Sequence, residues 1–222
     1  MCRTSVSAGF VFCAFLAFSD LCSAQTKSFT GVVNATLPAF TISVHYEDSD
    51  EANGWKVIDR IQVYSNHKLI QTISYSVDDE NKPVFNPSWK DLSVTLQDID
   101  CDGNKDLLVR VLVGVHGDAW YRLYRYRLAT YRFVEYTKFR DLPFVSANCR
   151  TDVVKTYGNG GLAGCIYSSD LYHWVRGELM PLRMEEQAPG PGNDFTRTIT
   201  AWRKGKKSET SRVIPGPDCH AP

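Results

Sequence analysis

An all-β domain built from antiparallel meanders is the fold class that this 222-residue sequence predicts. Three observations carry it. Runs of β-branched and aromatic residues alternate with polar ones from residue 40 to residue 214, and turn-forming clusters separate them at short intervals. Two-residue hairpin chemistry, as at Arg176-Gly177, joins neighbouring runs, and no long stretch has the period of an amphipathic helix. A small β-propeller-like arrangement is expected, with a two-sheet β-sandwich as the alternative.

The amino terminus reads as a leader. Arg3 precedes an apolar stretch over residues 8–18, and Cys22-Ser23-Ala24 then leads into Gln25, which is the pattern of a cleaved secretory signal over residues 1–24. The stretch is too short for a permanent membrane helix, and no other segment approaches that length. The expected product is one all-β domain over 25–214 with a tail over 215–222, periplasmic or secreted. Predicted strands follow in order at 40–46, 55–63, 69–75, 93–96, 107–113, 120–128, 132–136, 152–156, 166–175, 179–184, 195–202 and 208–214. In the second of these, Trp55, Val57, Ile61 and Val63 share one parity that Asp59 interrupts. Residues 188–194, rich in Pro and Gly, are expected to loop out.

Lys and Arg total 25 against 25 Asp and Glu, a balance that argues against a nucleic-acid partner. The basic run Arg203-Lys204-Gly205-Lys206-Lys207 sits between two predicted strands. It reads first as a solvated turn and second as a contact for an anionic wall polymer or membrane surface. Four cysteines lie beyond the leader, which in an exported chain favours disulfides. Cys149 with Cys165 is the first expected pair, since both flank a glycine-rich turn, and Cys101 with Cys219 is the second.

Residues 98–107, Asp-Ile-Asp-Cys-Asp-Gly-Asn-Lys-Asp-Leu, hold the strongest chemical signal. Asp98, Asp100 and Asp102 place carboxylates on one side of a tight loop, Gly103 allows the turn, Asn104 can present its carbonyl, and Asp106 closes the ring. An oxygen cage of this size suits Ca2+, and the apolar run that follows turns the loop into a strand instead of a helix. A structural ion is the expectation. The second signal is the glycine-rich segment Tyr157, Gly158, Asn159, Gly160 and Gly161, read either as a flexible hairpin tip or as a loop that enters a partner's cleft. Aromatic clusters at 120–133 and 167–174 serve packing, with a recognition surface as the alternative. Nucleophile-elbow and zinc-protease patterns are absent, and five histidines beyond the leader fall one to a segment, so no enzyme is expected. Asn34-Ala35-Thr36 has the form of a glycosylation acceptor.

The calcium loop, the run Tyr121-Arg-Leu-Tyr-Arg-Tyr126, Thr130-Tyr-Arg-Phe133 and Tyr172-His-Trp-Val-Arg-Gly-Glu-Leu179 occur in an order that resembles a family. The chain is similar over about residues 90–186 to bacterial periplasmic calcium-binding β-propeller proteins related to lysozyme inhibitors. Some of these are immunity proteins against peptidoglycan-cleaving effectors of type IV secretion systems. The resemblance implies a non-enzymatic inhibitor of a lysozyme-like peptidoglycan hydrolase, with the segment 157–164 as the occluding loop. A carbohydrate or cell-wall binding module is the alternative. Tyr131 departs from the pattern, standing at a turn position where Gly is expected.

Overall fold

The computed structural model describes residues 25–48, 56–76, 82–85, 93–114 and 118–216. Residues 1–24, expected to be a leader, Trp55, and residues 217–222 with Cys219 lie outside them. Among the described residues, fifteen strands form three antiparallel sheets, none of which closes into a barrel. The first contains β1 (Gln25–Gly31), β2 (Phe40–Asp48), β3 (Lys56–Ser65) and β4 (Lys68–Ser74) in that order, with the short β5 (Val84–Phe85) also on β3. The second is the meander β6 (Val94–Gln97), β7 (Asp106–Val113), β8 (Ala119–Arg127) and β9 (Arg132–Glu135). The third runs β10 (Phe144–Asn148), β11 (Val153–Gly161), β12 (Ile166–Val175), β13 (Glu178–Pro189), β14 (Phe195–Arg203) and β15 (Lys206–Ile214). Within each sheet strands adjacent in sequence pair, as the hairpin chemistry predicts, with β5 on β3 as the exception.

Alternation along the second sheet explains how the three pack. Leu107 and Val109 on β7, with Tyr124 and Tyr126 on β8, join a core made with Phe40, Ile42, Ile61 and Val63 of the first sheet. Leu108 and Leu123 point the other way, into a core shared with Val154 and Tyr172 of the third. The second sheet is thus covered on both faces, and that is why residues 107–113 are nearly all apolar instead of alternating. Phe40, Tyr126 and Phe133 meet at ring separations of 5.2 to 6.5 Å across the first interface. Gln71 ties the same sheets together, its Nε2 donating to the Phe133 carbonyl at 2.7 Å while its Oε1 accepts from the Phe133 N–H at 2.9 Å.

Two irregularities foreseen in the sequence have physical causes here. His45 pairs with Arg60 and Tyr46 with Ile58, so Asp59 is the extra residue of a β-bulge, and the buried set on β3 becomes Ile58, Ile61 and Val63. Tyr131 takes φ +54, the left-handed conformation of a turn that Gly adopts without strain. Two expectations change. Residues 188–189 end β13, so the loop shortens to residues 190–194. Strands β1, β5 and β10, absent from the predicted set, complete the sheet edges.

Candidate functional site

The loop between β6 and β7 is fixed by its own carboxylates. Asp106, fully buried, accepts backbone N–H groups from Ile99 at 3.1 Å and Asp100 at 3.3 Å on one oxygen and from Tyr126 at 2.9 Å on the other. Asp98 accepts from the Gly103 N–H at 3.1 Å, and Asp102 accepts from both the backbone N–H and the side-chain amide of Asn104, at 2.8 and 2.9 Å. Gly103 takes φ +86 and Cys101 φ +59, which lets the chain reverse within the loop. Asn34, outside the sequence motif, donates to the Asn104 side-chain oxygen at 2.8 Å, and Thr36 donates to Asn34 from both N–H and hydroxyl. The Asn34 amide therefore braces this loop.

Carboxylate oxygens of Asp98, Asp100 and Asp106 converge to within 4.8 Å of one another. Burial, and then the neighbouring Asp100 charge, push Asp106 up to about 7, and burial also raises Asp100 against the lowering effect of Arg125. The Arg125 guanidinium bonds Asp100 directly, donates to the Gly177 carbonyl at 2.9 Å, and lies 4.6 Å from the Trp174 ring centre. It pairs with one of four loop aspartates. Buried Asp98 Oδ1 and Asp100 Oδ1 accept no hydrogen bond. Anionic oxygens without partners, on two carboxylates of one cluster, are the kind of donor that a hard cation such as Ca2+ takes, six to eight at a time. Asp98, Asp100 and Asp106 would hold such an ion; Asp102 turns its Oδ1 to Asn104 instead.

The disulfide pairing differs from both sequence expectations. Cys101 is bonded to Cys149, which excludes the pairs Cys149–Cys165 and Cys101–Cys219. Cys149 and Cys165 flank β11 at opposite ends of a nine-residue strand, roughly 30 Å apart at about 3.3 Å per residue, far beyond disulfide reach. The β10–β11 turn instead abuts the carboxylate loop, where Cys149 Sγ also lies 3.5 Å from the Asp98 carbonyl. Cys165 is disulfide-bonded as well, and Cys219 lies outside the described residues. On the other side of the loop, Trp174 Nε1 donates to the Ile99 carbonyl at 2.7 Å. Arg125 and Trp174 were hidden in the sequence as members of aromatic strands; an arginine inside an otherwise buried strand pattern was the available signal.

The glycine-rich segment is not a free turn. Tyr157, Gly158, Asn159, Gly160 and Gly161 end β11 and pair with β12, Gly158 opposite Ser168 and Asn159 opposite Tyr167. The tip is residues 162–164, displaced five residues beyond Tyr157. Tyr157 stacks on Tyr167 at 6.2 Å. A side chain at Gly160 would meet Ile166 at 2.3 Å, so the glycine is required by close approach. Asp118 accepts the Asn159 N–H at 2.8 Å, and Asp118, Trp120, Gly158, Ser168 and Glu186 border a cleft of about 320 Å³.

No protein-family model and no curated protein sequence matches the chain. Among solved structures it is similar to one described as the structure of a Xanthomonas type IV secretion system related protein. The two agree with a TM-score of 0.57 at 16% identity, over 85% of this chain and 100% of that one. They share a fold. No helix among the described residues is long and apolar enough to cross a membrane.

Proposed function

We propose that this chain is an exported, non-enzymatic binding protein that inhibits a lysozyme-like peptidoglycan hydrolase, in an immunity-type role associated with a type IV secretion system. The supporting observation is the rigid tip between β11 and β12. Leu162 is 62% exposed there, and Gly161, Leu162, Ala163 and Gly164 all have positive φ. The Asn159 side chain accepts the Gly161 N–H at 2.9 Å, disulfide-bonded Cys165 follows at once, and fully buried Gln187 donates to the Cys165 carbonyl at 2.9 Å. An apolar side chain on a pre-ordered projection enters a cleft with little further loss of conformational freedom. The shared fold with a secretion-system-related protein agrees with this reading.

Leu162→Asp is expected to weaken inhibition of a peptidoglycan hydrolase by about tenfold or more, as for a central contact residue, while leaving the melting temperature unchanged. Turnover of cell-wall substrate with titrated inhibitor measures this, and an unchanged inhibition constant would place the contact elsewhere. A second reading, a carbohydrate or cell-wall binding module, has its own support in Trp120 and Tyr167 beside the Asp118–Glu186 cleft. Retention on insoluble peptidoglycan without any effect on the hydrolase would favour it.

Calcium in the 98–106 loop serves the scaffold in this proposal. At a hundredfold excess over its dissociation constant an ion adds about 2.7 kcal/mol, or roughly 5–10 °C in melting temperature for a domain of this size. Asp98→Ala is expected to abolish that calcium-dependent rise. Calorimetry with and without chelator decides it, and a variant that still responds would remove Asp98 from the ligand set.

A further inference from the structure

The basic turn between β14 and β15 has no part in the inhibitor reading, and its surroundings give it one of its own. Trp174 and Leu179 pack inward on the second sheet, so their sequence neighbours Val175 and Met180 face outward on the third. Val175 and Met180 are 42% and 46% exposed. With Pro181, Leu182, Trp202 and Lys204 they line a shallow apolar cavity of about 310 Å³. Lys204 and Gly205 form the two-residue turn that closes Arg203 onto Lys206, with φ of +50 and +75. The β12–β13 turn, Arg176-Gly177, projects at the same end of the sheet.

Charge on the outward face at this end is one-sided. Glu178 is engaged by Lys138 at 2.6 Å and Glu209 by Lys207 at 3.1 Å, while Arg176, Arg203, Lys204 and Lys206 are all exposed. The chain as a whole has no net charge, so this is a local concentration of cations. The aspartate loop lies against the inward face, where Trp174 bonds Ile99. Apolar side chains of shallow depth, a tryptophan at their margin and flanking lysines and arginines together match the layered chemistry of a bilayer surface, apolar beneath and anionic above. An acidic protein would need carboxylates placed against each cation; a bilayer needs only a diffuse anionic plane.

We infer that this end of the third sheet docks on an anionic phospholipid surface through Val175, Met180 and Trp202, ringed by Arg176, Arg203, Lys204 and Lys206. The ten-residue β12 separates it from the Leu162 tip by about 30 Å, so a docked molecule holds that tip away from the bilayer. The inference stands without the inhibitor reading, since the two use opposite ends of the sheet.

The test is co-sedimentation of the protein, purified as the expressing cell exports it, with vesicles of phosphatidylglycerol and phosphatidylcholine or of phosphatidylcholine alone. Binding is expected to the anionic vesicles only, to fall with added salt, and to drop at least about tenfold in the double variant Lys204→Glu, Lys206→Glu. Met180→Asp is expected to lower it with charge on the turn intact. Circular dichroism melting curves of both variants, expected to match the parent, exclude unfolding. Equal binding to neutral vesicles, full binding by the charge-reversed pair, or no vesicle binding would each overturn the inference. Capture of soluble polyglutamate without any vesicle binding would assign the patch to an acidic polypeptide.

Discussion

Asp106→Ala is expected to destabilise the protein by at least about 3 kcal/mol, whether or not calcium is supplied. The carboxylate accepts three backbone N–H groups, from Ile99, Asp100 and Tyr126, at a position with no solvent exposure. Each buried donor left without an acceptor costs about 1–3 kcal/mol, and the cavity left by the side chain admits no ready substitute for three. The Tyr126 bond also joins the loop to β8, so its loss loosens the second sheet as well as the turn. Denaturant midpoints in calcium and in chelator measure the effect. A large loss in both conditions identifies Asp106 as a backbone staple first and a metal ligand second; a variant that matches the parent in chelator would show that its hydrogen bonds contribute little. Asp98→Ala forms the contrast, with most of its loss confined to the calcium-loaded protein, since it accepts a single exposed N–H, from Gly103.

Replacing Cys101 and Cys149 together by Ser is expected to lower stability by about 4 kcal/mol. The bond closes a loop of sequence separation 48, and chain-entropy arguments give that magnitude for a loop of this length. A second effect follows from its position. The bond joins the carboxylate loop to the β10–β11 turn, so the double variant is also expected to show a smaller calcium-dependent rise in melting temperature. Urea unfolding of parent and variant, each with and without calcium, separates the two. A variant whose calcium response equals the parent's would show that the loop holds its shape from Asp106 and Arg125 alone.

Local chemistry was legible in the sequence, and contacts between distant segments were not. Residues 98–106 form the expected carboxylate loop because Asp98, Asp102 and Gly103 act within a few positions of one another. Most strand positions follow from alternation, and Arg176-Gly177 makes its hairpin with φ of +51 and +84. Cysteine pairing failed because proximity to a turn was read in the wrong direction: Cys149 belongs to the turn before β11 and Cys165 to the one after it. The glycine-rich segment misled in a similar way. Gly158 and Gly160 lie within a paired strand, where Ser168 and Ile166 crowd them, and the exposed tip begins at Leu162. Arg125 and Asn34 reach the loop from β8 and from the segment after β1, which no spacing within the loop discloses.

A middle sheet covered on both faces leaves no shorter length of this chain that is finished. A ribosome or translocation pore that has released residues 25–135 has delivered two sheets with Leu108 and Leu123 still facing water. At that moment Cys101 also waits for a partner 48 positions behind it. The nascent protein is therefore at its stickiest when most of it has already emerged, and a premature stop anywhere before β12 produces material for proteases rather than a smaller working version.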